Sequence, residues 1–239
     1  MSRNIEDHVI VFFGGTSAEA EVSVVSGTAI AEALLDRNVR VLQVLIARGG
    51  EAALLPPLHR RGGRSPQMYT AATASTELTC TFEPLDALVE RMAQTHVDLV
   101  AIPALHGPGD EDGDVQVALA RHGIPFVGAA HAAARLGMEK HLFKALAHSL
   151  GLPTLPYVLV TRQEWAADQS AARARVAAFA AEHSDGGALI GKPTAHGSSI
   201  GMRIARGESE WPEAIELALS FGDAALIEPY LEQIGRAHV

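Results

Sequence analysis

The sequence predicts an α/β fold, with an N-terminal domain built on a parallel sheet and a second unit of α+β type, and three observations carry that reading. Over the first 130 residues, short runs of branched and aromatic residues alternate with segments of helical spacing, the pattern of a parallel sheet covered by helices. Beyond Ala130 the order changes, and strands bracket a glycine-rich turn as a hairpin does. The chain has 239 residues, of which 48% are hydrophobic and 20% charged, so it can bury a sizeable core.

The elements follow in order. HVIVFFGG (8–15) is a short apolar run closed by a glycine pair and predicts a buried strand entering a tight loop. SVVSGTAIAEALLD has helical spacing with Ser23 as its N-cap, and VRVLQVLIA (39–47) predicts the next strand, completing a β-α-β start. Residues 49–80 mix Gly, Pro, Arg and Thr without periodicity and read as a loop or a small hairpin excursion. A helix around Leu85 to Met92, the strand DLVAIPAL, the helix VQVALARHG and the short strand IPFVG, ending at Gly128, continue the alternation. A domain boundary is placed near residue 130. The second unit is read as a helix around HLFKALAHSLG, the segment PTLPYVLV, an alanine-rich helix near 171–183, the strands ALIGKP and GMRIAR around a loop, a helix from about Trp211, and the strand ALIEPYL.

Charge and cysteine usage exclude several classes. A net charge of −9 leaves no basic stripe to displace counterions from nucleic acid, so no nucleic-acid partner is expected. Cys80, as the single cysteine, cannot form an internal disulfide, and MSRNIEDH has acidic residues where a signal peptide would have an apolar run, which together read as cytoplasmic. No apolar run reaches the roughly 18 residues that a membrane span requires.

Four places can carry chemistry. In GKPTAHGSSIG (191–201) glycines let backbone N–H groups approach an anion and serines add donors, although an ordinary Gly-Ser turn has the same composition. Lys192, between apolar neighbours, calls for an anionic partner. Lys140 and Lys144 stand at i, i+4 on one helix face, suited either to a shared polyphosphate or to solvent. ALHGPGDEDGD (104–114) puts a histidine and four carboxylates in a glycine-rich loop after a strand. Its spacing is not that of an EF-hand, and Asp112 or Asp114 could simply cap the following helix. GGTSAEAEVS offers Glu19 and Glu21 but matches neither a dinucleotide fingerprint nor a P-loop.

Taken in order, GGTSAEAEVSVVSG, ALHGPGDEDGDVQVALARHGIPFVG, RLGMEKHLFKALAHSLGLPTLPY, IGKPTAHGSSIGM and ALIEPYL resemble the D-alanine–D-alanine ligases of the ATP-grasp superfamily. The resemblance implies a pre-ATP-grasp domain (1–130) that binds substrate, a central ATP-grasp subdomain (131–232), and ATP-dependent joining of two D-alanines through an acyl phosphate for peptidoglycan. By motif position, Glu19 would pair with the ammonium of the first D-alanine, and His106 would lie near its carboxylate. Lys140 and Lys192 would hold ATP phosphates, with the Ser199 amide joining them. Ser198 would hydrogen-bond towards Glu19 and fasten the loop as a lid, while Glu228 and Leu231 would line the adenine and ribose pocket. A homodimer is also implied.

Departures from the family pattern are specific. Asp110 and Val117 stand where glycines are usual, and Glu139 replaces an aspartate before Lys140. A non-glycine at a turn needing positive φ costs on the order of 1 kcal/mol. The expected magnesium ligands (manganese being an alternative metal), the catalytic arginine and the lid that selects the second substrate belong to a C-terminal part beyond the adenine-binding strand, so no metal ligand is assigned. QIGRAHV (233–239) back-translates to codons resembling a sequencing-adapter sequence, from which a non-native tail and an inactive short chain are expected, with the last strand left as an exposed sheet edge. The competing readings are a different ATP-grasp carboxylate–amine ligase, such as a D-Ala–D-Lac or D-Ala–D-Ser ligase, and a non-catalytic nucleotide-binding module.

Overall fold

The computed structural model describes residues 8–56, 80–184 and 188–231. Most of the 49–80 excursion and the expected non-native tail therefore lie outside the described residues. The chain divides into two compact units, Met1–Arg135 and Leu136–Val239.

In the first unit β1 (His8–Gly14) leads into α1 (Ala20–Leu35), then β2 (Arg40–Ile46), β3 (Glu51–Leu54), β4 (Glu83–Pro84), α2 (Leu85–Thr95), β5 (Leu99–Pro103) and α3 (Asp114–Arg121). The sheet order is β4-β3-β2-β1-β5. β1 pairs in parallel with β2 and β5, because helical crossovers return the chain to the same end. β3 and β4 run antiparallel, so the sheet is mixed rather than wholly parallel, and the start of the unreadable stretch is indeed a hairpin excursion. IPFVG is not a strand. It contributes one bridge, between Phe126 and Ala101.

Both faces of β1 are buried, as its uninterrupted apolar run requires. Ile10 and Phe12 pack with Val44, Leu88, Met92 and Leu119, while Val11 and Phe13 pack with Val24, Ala31 and Leu45 on the opposite side. α1 lies against the second face so closely that a Cβ at Gly27 would stand 2.4 Å from the Phe13 Cβ. Ser23 does not cap this helix, whose N-cap is Glu19, one turn earlier. Asp112 and Asp114 do not cap α3 either; Gly113, at φ +107°, takes that position.

After α4 (His131–Met138), the second unit runs α5 (Lys140–Ser149), β6 (Val158–Thr161), α6 (Arg162–Ala167), α7 (Gln169–His183), β7 (Leu189–Pro193), β8 (Arg203–Ala205), a 3-10 turn (Glu208–Glu210), α8 (Trp211–Ser220) and β9 (Ala224–Pro229). Its antiparallel sheet has the order β6-β9-β7-β8. β7 and β8 form the expected hairpin. β9 is interior, paired with both β6 and β7 and buried from Ala225 to Pro229, so the expected exposed last-strand edge is not there. Val160, Trp165, Val176, Leu189, Ile215 and Ile227 form the core beneath. α6 escaped the sequence reading although Thr161 and Glu164 make a full capping box at its start. Among the described residues no helix is long and apolar enough to cross a membrane.

Candidate functional site

In the first unit, parallel strands present their carboxyl ends together, and two loops meet there. The loop after β1 begins with Gly14 and Gly15, both at positive φ (+92° and +116°), where a Cβ on Gly14 would strike the Ile46 carbonyl. Ser23, from inside α1, accepts from the Gly14 amide at 3.0 Å and donates to the Ala104 carbonyl at 2.6 Å, which ties this loop to the end of β5.

Asp110, in the loop after β5, is 2% exposed and accepts from the Ser17 amide at 2.8 Å and the Thr16 amide at 3.1 Å. Burial pushes its carboxyl above the usual range, against the lowering effect of those N–H bonds and with Asp112 adding to the rise. Asp110 is absent from the residues with positive φ, so the expected backbone strain does not arise. Ser17 donates from its hydroxyl to the His106 carbonyl and accepts from the Glu19 amide at 3.1 Å. Glu19 and His106 are both half-buried, and the Glu19 carboxylate borders Gly107, whose Cβ, if present, would be 3.1 Å from it. The His106 ring meets the Ser26 hydroxyl at 3.1 Å, and Glu111 accepts from the Gly107 amide at 2.9 Å. The arrangement places one carboxylate and one imidazole on two neighbouring loops, suited to a small zwitterion.

The second unit gathers cations. Lys192 on β7 and Glu228 on β9 are diagonal neighbours on one sheet face, since Lys192 pairs with Leu226 and Ile190 with Glu228. The Lys192 ammonium donates to Glu228 at 2.5 Å, and Lys144 from α5 pairs with the other carboxylate oxygen. Burial alone would raise the Glu228 carboxyl, but the hydrogen bonds and charges of Lys144 and Lys192 outweigh it and hold the group below the usual range. Lys140 donates its backbone amide to the Thr194 carbonyl at 2.9 Å and its ammonium to the His196 carbonyl, so it supports the hairpin loop directly. Burial first, and Lys192 second, lower its pKa from 10.5.

Within that loop Ser198 and Ser199 are both left-handed, at φ +49° and +60°. Two consecutive non-glycine residues in that region cost roughly 1–2 kcal/mol each, a strain typical of ligand-holding loops. Leu231 is 54% exposed just beyond β9. A hollow of about 490 Å³ opens beside Lys144, lined by His148, Leu155, Pro156 and Tyr157. The lysines, the loop and its serine amides suit a polyphosphate; among the described residues no group of His, Cys, Asp or Glu could hold a metal ion.

The sequence reading located Glu19, His106, Lys140, Lys192, Ser198, Ser199, Glu228 and Leu231 as site candidates. The structure brings Glu19 and His106 together in the first unit, and Lys140, Lys192 and Glu228 in the second. The sequence did not signal Ser17 or the Asp110 clamp, apart from an aspartate where a glycine was expected. Nor did it signal that Lys144 and Lys192 share one counter-ion.

Two family models cover most of the chain: the D-ala D-ala ligase N-terminus matches residues 8–129 and the D-ala D-ala ligase C-terminus matches residues 146–235. The chain belongs to the D-alanine–D-alanine ligase family. A D-alanine–D-alanine ligase of Streptomyces coelicolor is 36% identical over 236 residues, covering 93% of this chain and 60% of the relative. Another, from Enterococcus faecalis, is 27% identical over 94% of this chain and 62% of its own length. In fold, the chain resembles the crystal structure of the Helicobacter pylori D-alanine–D-alanine ligase (TM-score 0.70, 24% identity, 95% of this chain and 64% of that one). It resembles the Enterococcus faecalis VanG D-Ala:D-Ser ligase to the same degree (TM-score 0.70, 23% identity, 95% and 63%). The ATP-grasp architecture expected from the motifs is therefore present, and the chain spans about 60% of the length of the curated relatives it matches.

Proposed function

We propose that this chain carries the first-substrate site and the phosphate-holding site of an ATP-dependent ligase that joins two D-alanines, in the cytoplasm, for peptidoglycan. In this reading residues 1–130 bind substrate and 131–232 hold nucleotide. Glu19 neutralises the D-alanine ammonium and His106 faces its carboxylate. Lys140 and Lys192 hold the phosphates of ATP, joined by the Ser199 amide, with Ser198 fastening the loop and Glu228 and Leu231 at the adenine and ribose.

The chemistry needs these groups for stated reasons. Transfer of the γ-phosphoryl to the D-alanine carboxylate brings two anions together, so cations must offset their repulsion. The amine of the second D-alanine then attacks the acyl carbon and expels inorganic phosphate, so that the C–N bond replaces the C–O bond to phosphate, and the loop must exclude water, which would otherwise compete as nucleophile. Magnesium, or manganese, would offset charge on the phosphates; among the described residues no group of three or more His, Cys, Asp or Glu is placed to hold it. The relatives' names favour D-alanine as the second substrate, and a homodimer is the assembly this reading implies.

The observation that carries the proposal is the convergence of Lys140 on the strained Ser198–Ser199 hairpin loop, one strand residue from the Lys192–Glu228 pair. Titration of the chain with ATP tests it: binding that weakens in Lys140→Ala and in Lys192→Ala is expected. Equal ATP affinity in the wild type and both variants overturns the assignment.

A further inference from the structure

Within the first unit the buried carboxylate of Asp110 serves neither as apolar core nor as a proposed substrate contact. Asp110 is 2% exposed, yet both its oxygens are committed to a loop 93 or more residues earlier in the chain, accepting from the Ser17 amide at 2.8 Å and the Thr16 amide at 3.1 Å. The Thr16 hydroxyl also stands 3.5 Å from it. Space is closed around the carboxylate, for a Cβ on Gly15 would lie 2.4 Å from one of its oxygens.

The next links lead to the proposed site. Ser17, held by Asp110 through its amide, uses its hydroxyl to accept from the Glu19 amide and to donate to the His106 carbonyl. Arg48 donates to the Ser17 carbonyl from the other side. Every hydrogen-bonding group of Ser17 is therefore engaged, and a shift of this residue moves Glu19 and His106 together. A glycine at position 110, which the resemblance leads one to expect, has no side chain with which to hold either amide.

We propose that Asp110 is a positioning residue for the amino-acid site, fixing the β1 loop so that Glu19 and His106 keep one spacing around the substrate. The inference rests on the reading of Glu19 and His106 as D-alanine contacts, and it predicts a division of labour: Asp110 sets where Glu19 stands, and Glu19 meets the ammonium. A carboxylate suits the task because it presents two acceptors at the spacing of two successive amides, and charge-assisted bonds are about twice as strong as neutral ones.

The test compares Asp110→Asn, Asp110→Gly and Glu19→Gln in the 239-residue chain. Three quantities are read: amide hydrogen exchange at Thr16, Ser17 and Glu19, D-alanine affinity, and ATP affinity. Asp110→Asn turns one acceptor into a donor facing an amide, and Asp110→Gly removes both. Exchange at those amides is expected to quicken about tenfold or more in both Asp110 variants, D-alanine affinity to fall about tenfold, and ATP affinity to stay within about twofold. Glu19→Gln should lose D-alanine affinity with exchange at Thr16 and Ser17 unchanged. Exchange at wild-type rates in both Asp110 variants overturns the proposal, as does faster exchange with unaltered D-alanine affinity. An equal loss of D-alanine and ATP affinity overturns it too, because that marks a general loss of structure. If Glu19→Gln leaves D-alanine affinity intact, the substrate reading fails by itself, and the Glu19 amide still reports whether Asp110 holds the loop.

Discussion

Lys192 donates to the Glu228 carboxylate at 2.5 Å from the neighbouring strand, and Lys144 reaches the other oxygen of the same group. Glu228 is 4% exposed, so its two cations are its solvent. Removing the charge leaves two ammonium groups facing each other across an uncharged amide. Glu228→Gln is therefore expected to destabilise the second unit by about 3–5 kcal/mol, the usual effect of breaking a buried pair. Urea unfolding followed by tryptophan fluorescence measures it, Trp165 and Trp211 both lying in that unit's core.

The same group sets a pH dependence. Its folded pKa is held below 4.5 by the two lysines against the opposing effect of burial, so the folded state binds fewer protons than the unfolded chain in that window. The stability it contributes is fully present above pH 4.5 and is lost as pH falls through the folded value. In Glu228→Gln this part of the acid transition should vanish. Unfolding midpoints taken between pH 6 and pH 3 on wild type and variant check the difference.

Lys140 makes a prediction of opposite character for binding and for stability. Its pKa lies below 10.5, chiefly through burial, so on raising the pH the folded chain gives up this proton before the unfolded chain does. Stability from this group rises with pH across that window, while a polyphosphate loses a cation and its affinity falls. ATP titrations and melts at matched alkaline pH, with Lys140→Ala as the control that removes both trends, separate the two.

Glu19→Gln is expected to weaken D-alanine binding by roughly 2–5 kcal/mol, since a desolvated ammonium loses its charged partner. ATP affinity should be spared. An ATP defect of equal size would place Glu19 elsewhere than at the amino acid.

Gly107→Ala should damage the first unit twice. At φ +85° an L-residue is strained by about 1–2 kcal/mol, and the new Cβ would lie 2.8 Å from Ser17 and 3.1 Å from the Glu19 carboxylate. Thermal unfolding reads the first effect. D-alanine affinity, lowered beyond what the loss of folded chain explains, reads the second.

Where a segment's own chemistry decides its conformation, the sequence was legible. HVIVFFGG is apolar on both faces and closed by two glycines that only positive φ explains, and the β7–β8 hairpin is announced by its turn. IPFVG has the same local composition as a strand, but it pairs with β5 through a single bridge, made by the Pro125 carbonyl and the Val127 amide on Ala101, and no local signal separates a bridge from a ladder. Ser23 shows the same limit. It looks like a cap because serine often is one, yet it sits inside α1 where its hydroxyl meets two loops brought close by the sheet. At the site, Lys140, Lys192 and Glu228 could be named from motif order, while their pairing depended on strand register. The Asp110 clamp required knowing that residues 16–17 and 110 meet, a contact that no periodicity encodes.

That contact also dates the assembly of the proposed amino-acid site. Ser17 and Asp110 lie 93 residues apart, on the far sides of a loop that cannot close until β5 has docked beside β1. β1 and β2 need only the short α1 crossover and have no such delay. In a refolding experiment pulsed with deuterium, the amides of β1 and β2 should thus become protected first, and those of Thr16 and Ser17 only together with β5. The end of the unit where the amino-acid site is proposed is, on this timetable, a late part of it to form.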